Sequence, residues 1–159
     1  MRHGGAALAL ILLGLAPTRY PLHAGRGGRY QAAAAATEAA DERVIIRLRS
    51  EHDTAAGAGA VESLSAMYTA DAVVMPPNQA DVVGTAAILS WLKTGCGSGC
   101  GASMPFTGAV GNWTDDVRVS GAWASYRATH ASGPRVMWIL QRQTDGRWKI
   151  ARSIWNSAR

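Results

Sequence analysis

The chain has 159 residues, 48% of them hydrophobic, and a formal net charge of +5. That length allows one domain with a real core. Of the 16 basic residues, Arg2, Arg19, Arg26 and Arg29 precede the first acid, Glu38, and the rest nearly balance the 11 acids. The surplus charge therefore belongs mostly to the N-terminal tail, so a folded phosphate-binding surface is not implied, which argues against nucleic acid as a partner.

The tail starts with Arg2 and His3 and continues as AALALILLGLA, Ala6 to Ala16. A short basic region before an apolar run of this length is a signal-peptide pattern, and the run is too short for a membrane span. Pro17 hinders cleavage after Ala16, so the expected site follows Ala24. Residues 1–24 are read as a signal peptide, 25–36 as a linker and 37–159 as the domain. The expectation is a secreted or periplasmic protein with no stable membrane span after cleavage.

From Thr37 to about Ala58 the spacing predicts a helix. Thr37 is placed to cap it, and Glu38, Asp41 and Glu42 in the first turns suit the helix dipole. Val44, Ile45, Leu48, His52 and Ala55 or Ala56 recur on one face, and Gly57 and Gly59 end it. Val61, Leu64 and Met67 or Tyr68 mark a second, short helix. Ala72 to Met75 reads as a strand stopped by Pro76-Pro77. Asn78 to Gly84 forms a turn and short strand, and Thr85 caps a third helix to Lys93. The Gly-rich segment Gly95 to Ser103 holds both cysteines, Cys96 and Cys100. Strands are then expected at 108–119 and from Ala122 to His130.

The last two runs, VMWILQRQ and WKIARSIWN, flank Asp145-Gly146. This pair predicts a two-residue type I′ hairpin, which needs φ > 0 at both residues. The register that follows pairs Leu140 with Ala151, Trp138 with Ser153, Val136 with Trp155, Ile139 with Arg152 and Met137 with Ile154. Both faces carry large apolar groups, so both need cover. Helices serve for one face, and a second protomer is the simplest cover for the other. Helices segregated to one side of an antiparallel sheet make an α+β domain.

In this order the chain resembles SnoaL-like domains of the nuclear-transport-factor-2-like superfamily. The resemblance rests on Gly59-Ala60, SAMYTADAVVMPP from Ser65 to Pro77, VVGTAAILSWL from Val82 to Leu92, and DGRWKIARSIWNS from Asp145 to Ser157. It spans about Asp41 to Ser157 and implies a cystatin-like cone, with helices packed on a curved antiparallel or mixed sheet around a pocket. It implies nothing firm about activity, because one fold hosts many functions. In the ketosteroid-isomerase branch, the catalytic base falls at Pro76, the oxyanion tyrosine at His52 and the second aspartate at Trp138. Proline supplies no base, so the resemblance does not carry that mechanism over. It also implies a hairpin whose Val136, Trp138, Leu140, Ala151, Ser153 and Trp155 face the pocket, with Met137, Ile139, Ile150 and Ile154 facing away.

His52, on the buried stripe, is read as a general base or hydrogen-bond donor; the alternative is a core histidine bonded to a backbone carbonyl. Asp71 and Tyr68 are its possible assistants, although a turn aspartate and a packed tyrosine are the ordinary roles of such residues. Met75, Trp91, Tyr126, Trp138 and Trp155 are expected to line an apolar pocket for a ring-shaped ligand, with Ser153 and Asn156 either as polar contacts or as groups that satisfy the sheet edge. Trp113 and Trp148 are assigned to packing. Cys96 and Cys100 form a small disulfide loop if the protein is exported. His52 and His130 lack a third ligand, and GCGSGCG lacks the Lys-Ser/Thr of a phosphate loop, so neither metal nor cofactor is expected. The leading expectation is a small-molecule-binding homodimer. The second is a cofactor-free isomerase, cyclase or hydratase. The third is an assembly module with a packed pocket.

Overall fold

The computed structural model describes residues 27–95 and 113–156. The expected signal peptide, the Cys96–Cys100 pair with its Gly-rich segment, and the first residues of the strand expected at 108–119 lie outside the described residues. In order, the elements are α1 (Gly27–Gly57), α2 (Val61–Ala66), β1 (Tyr68–Met75), β2 (Val82–Val83), α3 (Thr85–Gly95), β3 (Trp113–Ser120), β4 (Trp123–His130), β5 (Arg135–Arg142) and β6 (Trp148–Asn156). The strands form one mixed sheet in the order β2-β1-β6-β5-β4-β3, with β1 parallel to β6 and every other pair antiparallel. Among the described residues this is the α+β arrangement expected, three helices and a six-stranded sheet.

α1 begins at Gly27, not at Thr37. The alanine run Ala32 to Ala36 is among the best helix-forming sequences and needs no partner to be helical. The expected linker is therefore helix from Gly27 onward, and residues 30–38 are exposed. Thr37 does not cap; its hydroxyl donates to the Ala33 carbonyl inside the helix. The face turned inward is Asp41, Ile45, Arg49, His52 and Ala56. This is one step round from the apolar stripe read in the sequence, and Val44 is left 47% exposed. Polar groups can occupy the buried face because each finds a partner. Asp41 accepts from Arg142 and, at 3.2 Å, from the Trp148 indole, which ties α1 to the final hairpin. The helix ends as the glycines predict. Ala60 N–H donates to Ala55 and Gly59 N–H to Ala56, with Gly59 at φ 64°, a Schellman closure.

β1 starts at Tyr68, four residues earlier than the apolar run suggests. The extension puts Tyr68, Ala72 and Val74 on the inner face, all buried. Thr85, the first residue of α3, bonds the Thr69 carbonyl and so ties the helix to β1.

The hairpin corrects one expectation in detail. Asp145 does not have positive φ; among the turn residues only Gly146 does, at 82°. Gly146 N–H donates to Gln143 and Gln143 N–H to Arg147. The loop is thus the three residues Thr144 to Gly146, a type I turn followed by a left-handed glycine. Near the turn the pairs are Arg142 with Trp148 and Leu140 with Ile150, one step off the expected register. A bulge at Ala151 then restores it, and Ile139–Arg152, Trp138–Ser153, Met137–Ile154 and Val136–Trp155 pair as expected. The bulge explains why Ile150, expected to face away, is fully buried beside buried Ala151. Arg152 holds it by donating to the Ala151 and Asp71 carbonyls.

The core fills the concave side of the sheet, from Ile45, Leu64, Ile88 and Leu92 of the helices to Trp138, Leu140 and Ile150 of the strands. The convex side is open, with Met137 and Ile154 44% and 46% exposed.

Candidate functional site

Strand pairing lays the concave face out in rows. One row is Val117, Tyr126, Trp138 and Ser153; the next, towards the end of the cone, is Asp115, Ala128, Val136 and Trp155. α1 crosses above them and supplies Arg49, His52 and Asp53.

Under the first row lies a buried polar seam. His52 Nε2 is 3.3 Å from the Tyr68 hydroxyl, which also bonds the Ser153 side chain. The His52 ring packs 4.9 Å from Trp138, and Trp138 packs 5.1 Å from Tyr126. His52 has no exposed surface, and its pKa is held down at about 3, first by burial and then by the nearby Arg49 charge. Burial likewise pushes the Tyr68 phenol well above its usual range. Both groups are neutral through the physiological range. A ring this hard to protonate is a weak proton acceptor, so the geometry favours His52 as a hydrogen-bonding core residue.

The second row opens on a charged cluster that the sequence reading missed. Arg49, nearly buried, places Nε 2.9 Å from Asp53 Oδ2 and its guanidinium 4.7 Å over the Trp113 ring. Across from it, Tyr126 donates to Asp115 Oδ1 at 2.6 Å. Burial pushes the Asp53 carboxyl up to about 6; Arg49 pulls it down and Asp115 raises it further. Burial and the bond to Asp115 push the Tyr126 phenol up as well. Between Asp115 and Trp155 the row carries Ala128 and Val136, both buried. The signal for the cluster was present in the sequence: Arg49 and Asp53 are four apart on the same helix as His52, where an ion pair is favoured.

The structure unites His52, Tyr68, Tyr126, Trp138 and Ser153 under the sheet, with Trp155 in the next row. Trp91 of α3 stands 6.1 Å from Trp155, and its indole donates to Gln79. Three expected site residues stand elsewhere. Asp71 is exposed and accepts from Thr69, which holds its carboxyl below the usual range; it is not beside His52. Met75 pairs with outward-facing Ile154 and so belongs to the convex face. Asn156 follows Trp155 and faces the opposite side by strand alternation; its side chain accepts the Arg135 N–H at the sheet end. Trp148 packs as expected, with its indole on Asp41. His130 bonds Ser132 and stands 5.0 Å from Trp113. No group of three or more metal-ligating side chains occurs among the described residues, and no described helix is long and apolar enough to cross a membrane.

No protein-family model matches the sequence, and no curated protein matches it. Solved structures do. An NTF2-like protein with a cystatin-like fold from Novosphingobium aromaticivorans is 18% identical, with a TM-score of 0.58, over 79% of this chain and 86% of its own. A protein from Catenulispora acidiphila, solved in complex with S-DNPA, is 17% identical, with a TM-score of 0.54, over 74% and 93%. A ketosteroid isomerase-like protein from Erwinia carotovora atroseptica is 20% identical, with a TM-score of 0.51, over 71% and 92%. At these identities the likeness is one of fold. The chain has the NTF2-like, cystatin-like cone, the fold that its resemblance to SnoaL-like domains implies.

Proposed function

We propose that this chain is an exported small-molecule-binding protein, and that a neutral, largely apolar or ring-shaped ligand lies under the second row of the concave face. One observation carries the reading. A nearly buried arginine paired with a partly exposed aspartate, and a tyrosine–aspartate pair, converge at the end of the row where Ala128 and Val136 lie between Asp115 and Trp155. Clustered charges are costly to desolvate and contribute little as packing, whereas a few polar groups beside aromatic walls are what a ligand site needs. The walls in this reading are Trp155 and Trp91, with Tyr126 contributing from the first row. The solved complex of the Catenulispora protein is consistent with a cone of this kind holding a small organic molecule.

Export is part of the proposal and rests on Arg2, His3 and the apolar run that follows. So is a homodimer across the convex face. That face offers exposed Met137 and Ile154 and a groove of about 290 Å³ that also meets Arg127, Arg135 and Asn156. Native mass spectrometry of protein purified from its exported fraction tests all three points. The expected result is a chain starting at Gly25, a dimer mass and a bound small molecule. A ligand-free species that also fails to quench its tryptophans with aromatic probes overturns the binding reading. A Met137→Asp variant of unchanged oligomeric mass overturns the convex-face dimer.

A further inference from the structure

Strand pairing also lays out the convex face. One row runs Asp116, Arg127, Met137 and Ile154, and the next runs Arg118, Ser125, Ile139 and Arg152. By alternation Arg135 and Asn156 stand on the same side at the end of the sheet, and Lys149 stands on it nearer the turn. Strands β3 to β6 thus set Arg118, Arg127, Arg135, Lys149 and Arg152 on this face against a single acid, Asp116. Asp116 is shared between Arg118 at 3.2 Å and Arg127 at 3.4 Å. Arg152 donates to the Ala151 and Asp71 carbonyls. The Arg135 guanidinium has no acceptor among the described residues. It borders the groove of about 290 Å³, with Asn156 beside it and with Met137 and Ile154 in the apolar part of the lining. The Asn156 amide has a fixed sense. Its Oδ1 accepts the Arg135 backbone N–H at 3.0 Å, so the NH2 half is the one left to a ligand. The groove therefore joins an uncommitted cation and an amide donor to a hydrocarbon surface.

We propose that this groove is a binding site for a small organic carboxylate, with the carboxylate on the Arg135 guanidinium and the Asn156 amide and an apolar chain over Met137 and Ile154. A guanidinium offers a carboxylate two parallel N–H donors. The surplus of cations selects an anion, and the apolar lining selects one with a hydrocarbon body. The groove is at the small end of the roughly 300–1,000 Å³ that small-molecule sites span, which suits a short chain. The site is separate from the second row of the concave face, where the ligand of the reading above is neutral. It lies on the face assigned to the homodimer. In a two-fold dimer each copy sets this patch against the same patch, so each brings the same surplus of cations, and Met137 and Ile154 are the apolar surface open to either occupant. The carboxylate and the second copy therefore exclude each other. That consequence rests on the dimer reading, whereas the site itself does not.

Octanoate, octanol and acetate separate the two halves of the site. With the full protein carrying carbon-13 methionine methyl groups, the Met137 signal, assigned by its loss in Met137→Leu, reads the groove directly. Octanoate should shift that signal and saturate. Octanol lacks the charge and acetate lacks the chain, so each should bind about tenfold more weakly or worse. Arg135→Gln should weaken octanoate by about tenfold or more, and Arg135→Lys should recover only part of the loss, because a point charge does not reproduce the two-donor fork. Arg135 is exposed, so neither variant threatens the fold. A Met137 signal that octanoate leaves unmoved, or that octanol moves as readily, overturns the site. So does an Arg135→Gln variant that binds octanoate as the unmutated protein does. Sedimentation of the same samples reads the second occupant, with the dimer expected to give way to monomer as octanoate saturates. A dimer that persists while Met137 is saturated overturns the exclusion. A monomer in the absence of octanoate overturns the dimer reading and leaves the site standing.

Discussion

Replacing His52 with glutamine should change how the protein responds to acid. The imidazole is fully buried, with its pKa at about 3 against 6.5 in the unfolded chain. Between those values the unfolded chain binds a proton that the folded chain refuses. Its contribution to stability is therefore complete above pH 6.5 and is lost as pH falls towards 3. Each unit in that window is worth about 1.4 kcal/mol, so acidifying from pH 7 to pH 5 removes about 2 kcal/mol through this residue. Asp53 acts in the opposite sense. Its carboxyl is raised from 3.8 to about 6, so the folded chain takes the proton first and gains stability as pH falls through that interval. By pH 5 the gain is about 1 kcal/mol. In the unmutated protein the two slopes largely cancel between pH 6 and pH 4. Glutamine cannot take up a proton, and it retains a polar group for Tyr68. His52→Gln should thus lose the acid-sensitive slope and keep that of Asp53. Urea denaturation at pH 7 and pH 5 reads the difference directly, because every other titrating group is common to both proteins. On acidification the variant should gain about 2 kcal/mol relative to the unmutated protein. Equal changes in the two proteins would refute the reasoning, since they would mean that the buried ring titrates as it does in the unfolded chain.

Other expectations follow from single contacts. Asp41→Ala strands the Arg142 guanidinium and the Trp148 indole, and should cost about 2 kcal/mol in urea midpoint analysis. Trp148→Phe keeps the ring and loses one bond, so about 1 kcal/mol is expected. Gly59 has φ 64° with open space around it. Gly59→Ala should therefore cost about 1–2 kcal/mol from backbone strain alone, visible as a lower Tm. Gly57 is helical and also meets nothing, so Gly57→Ala should be neutral or raise stability by up to about 1 kcal/mol.

The sequence carried the element order well, because each helix and strand is announced by local chemistry. Gly57 and Gly59 stop α1, Pro76-Pro77 follows β1, and the hairpin runs alternate as their burial does. Errors arose where distant partners decide. Apolar periodicity puts Val44, Ile45, Leu48, His52 and Ala55 or Ala56 on the inner face of α1; Ile45, His52, Ala55 and Ala56 are buried and Leu48 packs partly buried, but Val44 is exposed. The face actually chosen carries Asp41 and Arg49, whose partners arrive from β6, β5 and β3 or from the same helix. The pairing of His52 with Asp71 failed for a similar reason. β1 begins at Tyr68, so strand alternation sends Tyr68 inward and the bulged stretch after it leaves Asp71 on the surface. Met75 and Asn156 have residue types that suit a pocket, but their strand positions place them on the convex side. The Asp53–Asp115 relation joins a helix to a strand far along the chain, and no local pattern announces it.

The final hairpin contains two offsets of equal size and opposite sign, one at the Thr144–Gly146 loop and one at Ala151. Together they isolate the site from the turn. Trp138, Ser153 and Trp155 take their alignment from the bulge, which Arg152 pins to the neighbouring strand. The segment between the offsets acts as a buffer of register: changes of loop length or sequence there displace Trp148 to Ile150 before they reach the concave rows. The tip can therefore diverge freely, while Ala151 and Arg152 keep the walls of the cone in frame.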